Sequence, residues 1–218
     1  TDYFNTKLYT GNGSNNHTIT GVGFDTDLAW IKNRGGDDHR LFDKVRGVNK
    51  FVKSNTTDAE TTDAIFTTNS DGYVVTNAGE VNANNQNFVG WNWKANGAGS
   101  ANTDGSISST VSVNTTAGFS IVSFNQASSP QTIGHGLNSV PKIIFIKDRD
   151  SVANWQVYSE SIGASNKLLL DSTNASASSG VFNSTAPTSS VFTFNSNFGS
   201  TIAYCFAEKT GYSKFGSY

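Results

Sequence analysis

The chain has 218 residues, enough for one large or two small domains that each bury a core. Its formal net charge of −2 and pI near 5.8 leave no basic footprint for nucleic acid, and no apolar run approaches the ~20 residues that span a bilayer. Only 15% of residues are charged and aromatics stand at 12% in periodic runs, which suits an all-β protein with uncharged polar faces.

From Tyr3 to Tyr9 alternate residues share a face, as on a strand, and Thr10-Gly11-Asn12-Gly13 supplies turn chemistry. A short strand at His17–Thr20 leads through Gly21-Val22-Gly23-Phe24 into a buried-strand signal, Leu28–Lys32. The charged, glycine-containing stretch Asn33–Arg40 predicts an exposed loop. Strand-like segments follow at 41–47 and 50–54. Ala64–Thr67 and Gly72–Thr76 flank an Asp-Gly hairpin signal, and Phe88–Lys94 carries Trp91 and Trp93 on one face.

Residues 96–105 hold no large apolar side chain and read as a linker between a repeat over 1–95 and a second over 106–211. In the second, 106–113 and 119–124 form a hairpin whose first strand has no counterpart in the first repeat. The strand Val140–Arg149 echoes Asp27–Arg34, and Ile31 and Ile146 lie 146 − 31 = 115 positions apart. Both strands are entered through a glycine pair and left through Lys-Asx-Arg. Tyr9 aligns with Phe124 at the same offset, Gly47 with Gly163 at 116, and Trp91 with Tyr204 at 113. Such self-similarity means two copies of one unit. Residues 212–218 resemble 3–9 and are expected to be the first strand of a truncated third repeat or a swapped strand, and with no methionine present the chain reads as a piece of something longer. Many short strands and no sustained helical spacing predict two tandem β-sandwich units of jelly-roll or concanavalin-like type.

Few residues suggest chemistry. Asp37, Asp38 and Asp43 form the one acidic cluster that a metal could use, and calcium is the cofactor such a loop would take. A solvated loop is the plainer reading, and the corresponding Asp148-Arg149-Asp150-Ser151 lacks the histidine. His39 and Arg40 beside that loop are candidate ligand contacts. Trp155, just after a charged turn, and Tyr158 are candidates for stacking on sugar rings, Trp155 being the better placed for exposure. Trp30, Trp91 and Trp93 lie inside strand patterns and read as core. His135, between two glycines, reads as structural, there being no Gly-x-Ser-x-Gly elbow. The single cysteine, Cys205, excludes an intrachain disulfide and reads as a half-buried strand thiol.

The motifs Tyr9-Thr10-Gly11-Asn12-Gly13, Gly21-Val22-Gly23-Phe24, Trp30-Ile31-Lys32, Val89–Ala95, Gly134-His135-Gly136-Leu137 and Ala207–Tyr212 resemble repeat-built virion proteins of marine tailed bacteriophages. That resemblance implies a non-enzymatic tail-fibre, appendage or decoration component, some relatives carrying concanavalin-like lectin regions, and brings no catalytic motif with it. The implied partners are other virion proteins and a host-surface glycan, with homo-oligomerisation supplying avidity and no nucleic acid or membrane span. The implied location is the virion after assembly in the host cytoplasm, or otherwise extracellular. The alternatives are a carbohydrate-binding lectin or glycan-active enzyme, and a filament or surface-layer subunit completed by strand addition.

Overall fold

A computed structural model describes residues 2–216, which divide into two compact units with the boundary between Ala98 and Gly99. Unit 1 runs β1 (Phe4–Thr10), β2 (His17–Ile19), β3 (Leu28–Asn33), β4 (Arg40–Asp43), β5 (Lys50–Lys53) and β6 (Thr61–Thr62). It continues with β7 (Phe66–Asn69), β8 (Gly72–Val75), one helical turn α1 (Gly79–Asn82) and β9 (Asn87–Trp93). Every pairing is antiparallel: a large sheet in the order β1-β9-β3-β4-β5-β6, and a small one in the order β2-β8-β7. Asn69 pairs with Gly72, so the Asp-Gly signal does mark a two-residue hairpin loop. The two sheets enclose a core of Ile31, Phe42, Phe51 and Phe88 from the large sheet with Ile19, Phe66, Tyr73 and Val75 from the small one.

Unit 2 contains β10 (Ser100–Asn102), β11 (Ser109–Asn114), β12 (Phe119–Asn125), β13 (Gln131–Gly134) and β14 (Pro141–Asp148). It is completed by β15 (Gln156–Ser159), β16 (Asn166–Leu169), β17 (Ala177–Ser178), β18 (Val191–Phe194) and β19 (Ser200–Ala207). Its large sheet is β10-β11-β12-β19-β14-β15-β16-β17 and its small sheet β13-β18. Removing the β10–β11 hairpin leaves β12-β19-β14-β15-β16-β17, the same order as unit 1. The registers agree too. Phe4 faces Trp93 as Phe119 faces Phe206, and Leu28 faces Trp93 as Ile143 faces Phe206. Arg40 faces Lys53 as Gln156 faces Leu169. These pairs reproduce the offsets of 115, 113 and 116 read from the sequence. Cys205 is fully buried, and burial pushes its thiol up to about 12, so it is an inert core residue.

The structure departs from expectation at two joins. Ser100–Asn102 is not a free linker: it pairs with Ser109–Val111 as the edge strand of unit 2. Backbone hydrogen bonding needs no apolar side chain, which is why composition alone misplaces this segment. At the other end Lys209 and Ser213 form an isolated bridge around a turn, and 214–216 lie in no strand. Ser217 and Tyr218, the end of the expected third-repeat strand, lie outside the described residues. No helix among the described residues is long and apolar enough to cross a membrane.

Candidate functional site

Unit 1 concentrates its charge at the corner where the β3–β4 loop meets the end of β5. The loop is closed by its own side chains: Asn33 Oδ1 accepts the Gly35 N–H at 2.8 Å, and Asn33 Nδ2 donates to Asp37 Oδ2 at 2.6 Å. Beyond it His39 N–H donates to Asn55 Oδ1 at 2.9 Å, and Asn55 Nδ2 donates to Asp38 Oδ1 at 3.0 Å. Lys53 Nζ bridges Asp38 at 3.1 Å and Asp58 at 2.7 Å. The hydrogen bond to Asp58 leads in raising the Lys53 pKa. The Lys53 hydrogen bond likewise leads in holding Asp58 below the usual carboxylate range. Partial burial would raise Asp38, but hydrogen bonds from Lys53 and Asn55 and the charges of Lys53 and Arg40 hold it low.

His39 and Arg40 are neighbours on opposite faces of β4's leading end. Arg40 is buried, its guanidinium 4.9 Å from the Phe51 ring centre and 3.3 Å from Glu80 of α1. His39 is half-buried with Nε2 2.8 Å from Lys32 Nζ. An ammonium only donates, so Nε2 accepts and the ring is neutral with its proton on Nδ1. Burial lowers the His39 pKa, and the charges of Lys32 and Arg40 lower it further against Asp38. The corner therefore alternates donors and acceptors with its charges compensated, which suits reversible hydrogen bonding to a hydroxyl-rich surface better than capture of a strong ion.

The other expected site residues lie elsewhere. Asp37, Asp38 and Asp43 do not converge: Asp37 turns to Asn33, Asp38 to Lys53, and Asp43 forms a fully buried pair with Arg46, Oδ2 to Nε 2.6 Å. Among the described residues no group of three or more His, Cys, Asp or Glu could hold a metal. Each of these carboxylates is already occupied by a cation or amide, which a calcium loop would need free. Trp155 and Tyr158 are not exposed platforms. Trp155 is wholly buried and stacks on Tyr204 with ring centres 6.2 Å apart, and Tyr158 packs on Phe182 in the unit 2 core. Strand alternation sends Trp155 with Val157 to one face of β15 and Tyr158 with Gln156 to the other, and all four are buried. Trp30 and Trp91 are cross-strand neighbours, half-buried, with rings edge-on at 5.9 Å.

His135 is fully buried: Nδ1 accepts the Leu137 N–H and Nε2 donates to the Thr188 carbonyl, both at 3.2 Å. Burial depresses its pKa, so it sits neutral as a structural residue. Sequence reasoning did not find Lys53, Asn55, Asp58 and Glu80. The pairing of Arg40 with Lys53 brings the first three to the loop, and Glu80 reaches Arg40 from α1. Unit 2 has no matching corner: Trp155, Gln156 and Leu169 stand where unit 1 has His39, Arg40 and Lys53.

The entire chain, residues 1–218, matches the family model described as a domain of unknown function, DUF7483, and the chain belongs to that family. No curated protein and no solved structure matches it.

Proposed function

We propose that this DUF7483 member is a non-enzymatic surface protein of a bacteriophage virion, a tail-fibre, appendage or decoration component that serves host-surface attachment or particle assembly. The observation that carries the reading is the pair of units with one strand order and one register but different polar groups at equivalent positions. A framework held constant while its corners diverge is what a modular contact protein needs, since affinity then comes from many weak sites in parallel. The Asp38, His39, Lys53, Asn55 and Asp58 corner is the surface we assign to contact, with a hydroxyl-rich glycan as its ligand class.

The test has two arms. Antibody raised against the chain and followed by electron microscopy should decorate appendages or shell of particles from cultures carrying the gene. The labelled chain on a glycan array should be retained without hydrolysis and lose retention on Lys53→Ala. Turnover of a polysaccharide, or particles that bind no antibody, would overturn the reading. Glycan retention without particle labelling would identify a lectin module instead.

A further inference from the structure

Beside the corner assigned to contact, the Arg40 guanidinium lies between two carboxylates and is satisfied in full by neither. Nη2 is 3.3 Å from Glu80 Oε1, and Nη1 is 3.8 Å from Asp38 Oδ2, beyond hydrogen-bond reach. The Arg40 side chain is 5% exposed, and among the described residues its buried Nε and Nη1 have no hydrogen-bond partner. The rim above it is open, the Asp38 side chain being 34% and that of Glu80 41% exposed. A buried guanidinium left incompletely paired is costly and calls for a reason. The fold does not supply one, since unit 2 puts the neutral, buried Gln156 at the equivalent place, opposite Leu169.

We propose that Arg40, Asp38 and Glu80 form a subsite for two adjacent hydroxyls of a neutral sugar ring. The inference rests on the glycan-contact reading of the corner and gives that ligand its chemistry. What is left over on Arg40 is N–H, so the ligand must bring an acceptor. An anionic acceptor is disfavoured, because Arg40 and Lys53 are already outnumbered by Asp38, Asp58 and Glu80. A hydroxyl oxygen is neutral, and it accepts and donates at once. Placed about 2.8–2.9 Å from both Nη1 and Asp38, it spans the gap of 3.8 Å that is too long for a direct bond. The second hydroxyl of a vicinal pair then meets Nη2 and Glu80, on the other arm of the same planar fork. Glu80, the more exposed carboxylate, is the side that yields to admit the ring. The Phe51 ring, its centre 4.9 Å from the guanidinium carbon, braces the fork.

Proton–nitrogen NMR of the full chain, titrated with methyl mannoside, methyl glucoside and methyl galactoside, tests this, because the Arg40 Nε–H gives a signal of its own. The expected result is that at least one glycoside saturates at millimolar concentration, moves the Arg40 Nε–H signal and slows its exchange with water. Arg40→Lys and Glu80→Ala should each weaken that glycoside about tenfold or more. Should Arg40→Lys unfold the chain, Glu80→Ala, at a side chain 41% exposed, carries the reading. Sodium glucuronate should bind no better than methyl glucoside. Shifts confined to the Asn55 and His39 amides, or glucuronate binding clearly tighter than methyl glucoside, would overturn the subsite and leave the corner standing. Absence of any shift at Arg40, Asn55 and His39 would overturn both.

Discussion

In unit 1 the corner Gly21-Val22-Gly23 is held from outside, by the Asp71 carboxylate accepting the Gly21 N–H at 2.8 Å and the Gly23 N–H at 2.7 Å. In unit 2 the matching Gly134-His135-Gly136 is held from within, by the His135 imidazole between the Leu137 amide and the Thr188 carbonyl. The backbone bond beneath is the same in both: Val22 N–H to the Asp71 carbonyl, His135 N–H to the Ser190 carbonyl. Similar exchanges recur. The Asp27 and Lys44 pair of unit 1 meets its reverse in the Lys142 and Glu160 pair of unit 2. The Asx turn after the central strand uses Asn33 in one and Asp148 in the other, each accepting the N–H two residues on. A fold built on backbone register tolerates such changes because each site needs only a satisfied partner, whatever its charge.

The largest test of that view is the buried pair Asp43 and Arg46, whose guanidinium also reaches Glu60 at 3.1 Å and the Leu41 carbonyl at 2.8 Å. Unit 2 has Ser159 and Ile162 at those positions. Asp43→Ala leaves Arg46 short of a partner and should cost about 3–5 kcal/mol in urea unfolding, whereas Ser159→Ala should cost under about 1 kcal/mol.

The next concerns space. In unit 1 the Tyr73 hydroxyl lies over Gly90, where an added Cβ would collide with it. In unit 2 the equivalent residues are Phe192 and Ala203, both buried. Gly90→Ala should therefore destabilise by about 1–3 kcal/mol. Adding Tyr73→Phe should restore most of the loss, because it removes the hydroxyl that the new Cβ would meet and imports the pairing of unit 2. A double variant no better than Gly90→Ala would break the equivalence of the two units.

The smallest effect is on pH dependence, and it separates the two latches. Burial holds His135 below its ordinary 6.5, so the folded state binds fewer protons than the unfolded one. Its contribution is complete above pH 6.5 and falls as pH drops through the folded value. Asp71 is held below its ordinary 3.8 by the Gly21 and Gly23 amides, so its contribution is complete above pH 3.8 and falls only in stronger acid. His135→Val should flatten the first window alone and Asp71→Asn the second alone, read from denaturation midpoints between pH 3 and 8. A His135→Val chain with an unchanged pH 5 to 6.5 slope would exclude the latch.

Much of the large-sheet framework was legible in the residues. Alternation located a strand at Tyr3–Tyr9 and buried-strand signals located Leu28–Lys32 and Val140–Arg149, each within a residue of β1, β3 and β14, and the near-constant offsets anticipated which segments are equivalent in the two units. The candidate site was half legible. His39, Asp38 and Arg40 stand beside a glycine-rich charged loop that any reading would single out. Lys53 and Asp58 reach it only through the pairing of β4 with β5, which local pattern does not encode. Trp155 misled because the charged turn before it suggests solvent, whereas stacking on Tyr204, of β19 in the same large sheet, helps remove it from water.

By itself the amino-acid order determined the all-β class and the duplication, because hydrophobic alternation and repeat spacing are properties of short stretches compared along the chain. Tertiary structure alone decided which polar groups are satisfied and by whom: the Asp43 and Arg46 pair, the Asp71 and His135 latches, and the separation of Asp37, Asp38 and Asp43. Those depend on distances between segments tens of residues apart, and a hydrogen bond or ion pair has no direction until both ends have been placed in space.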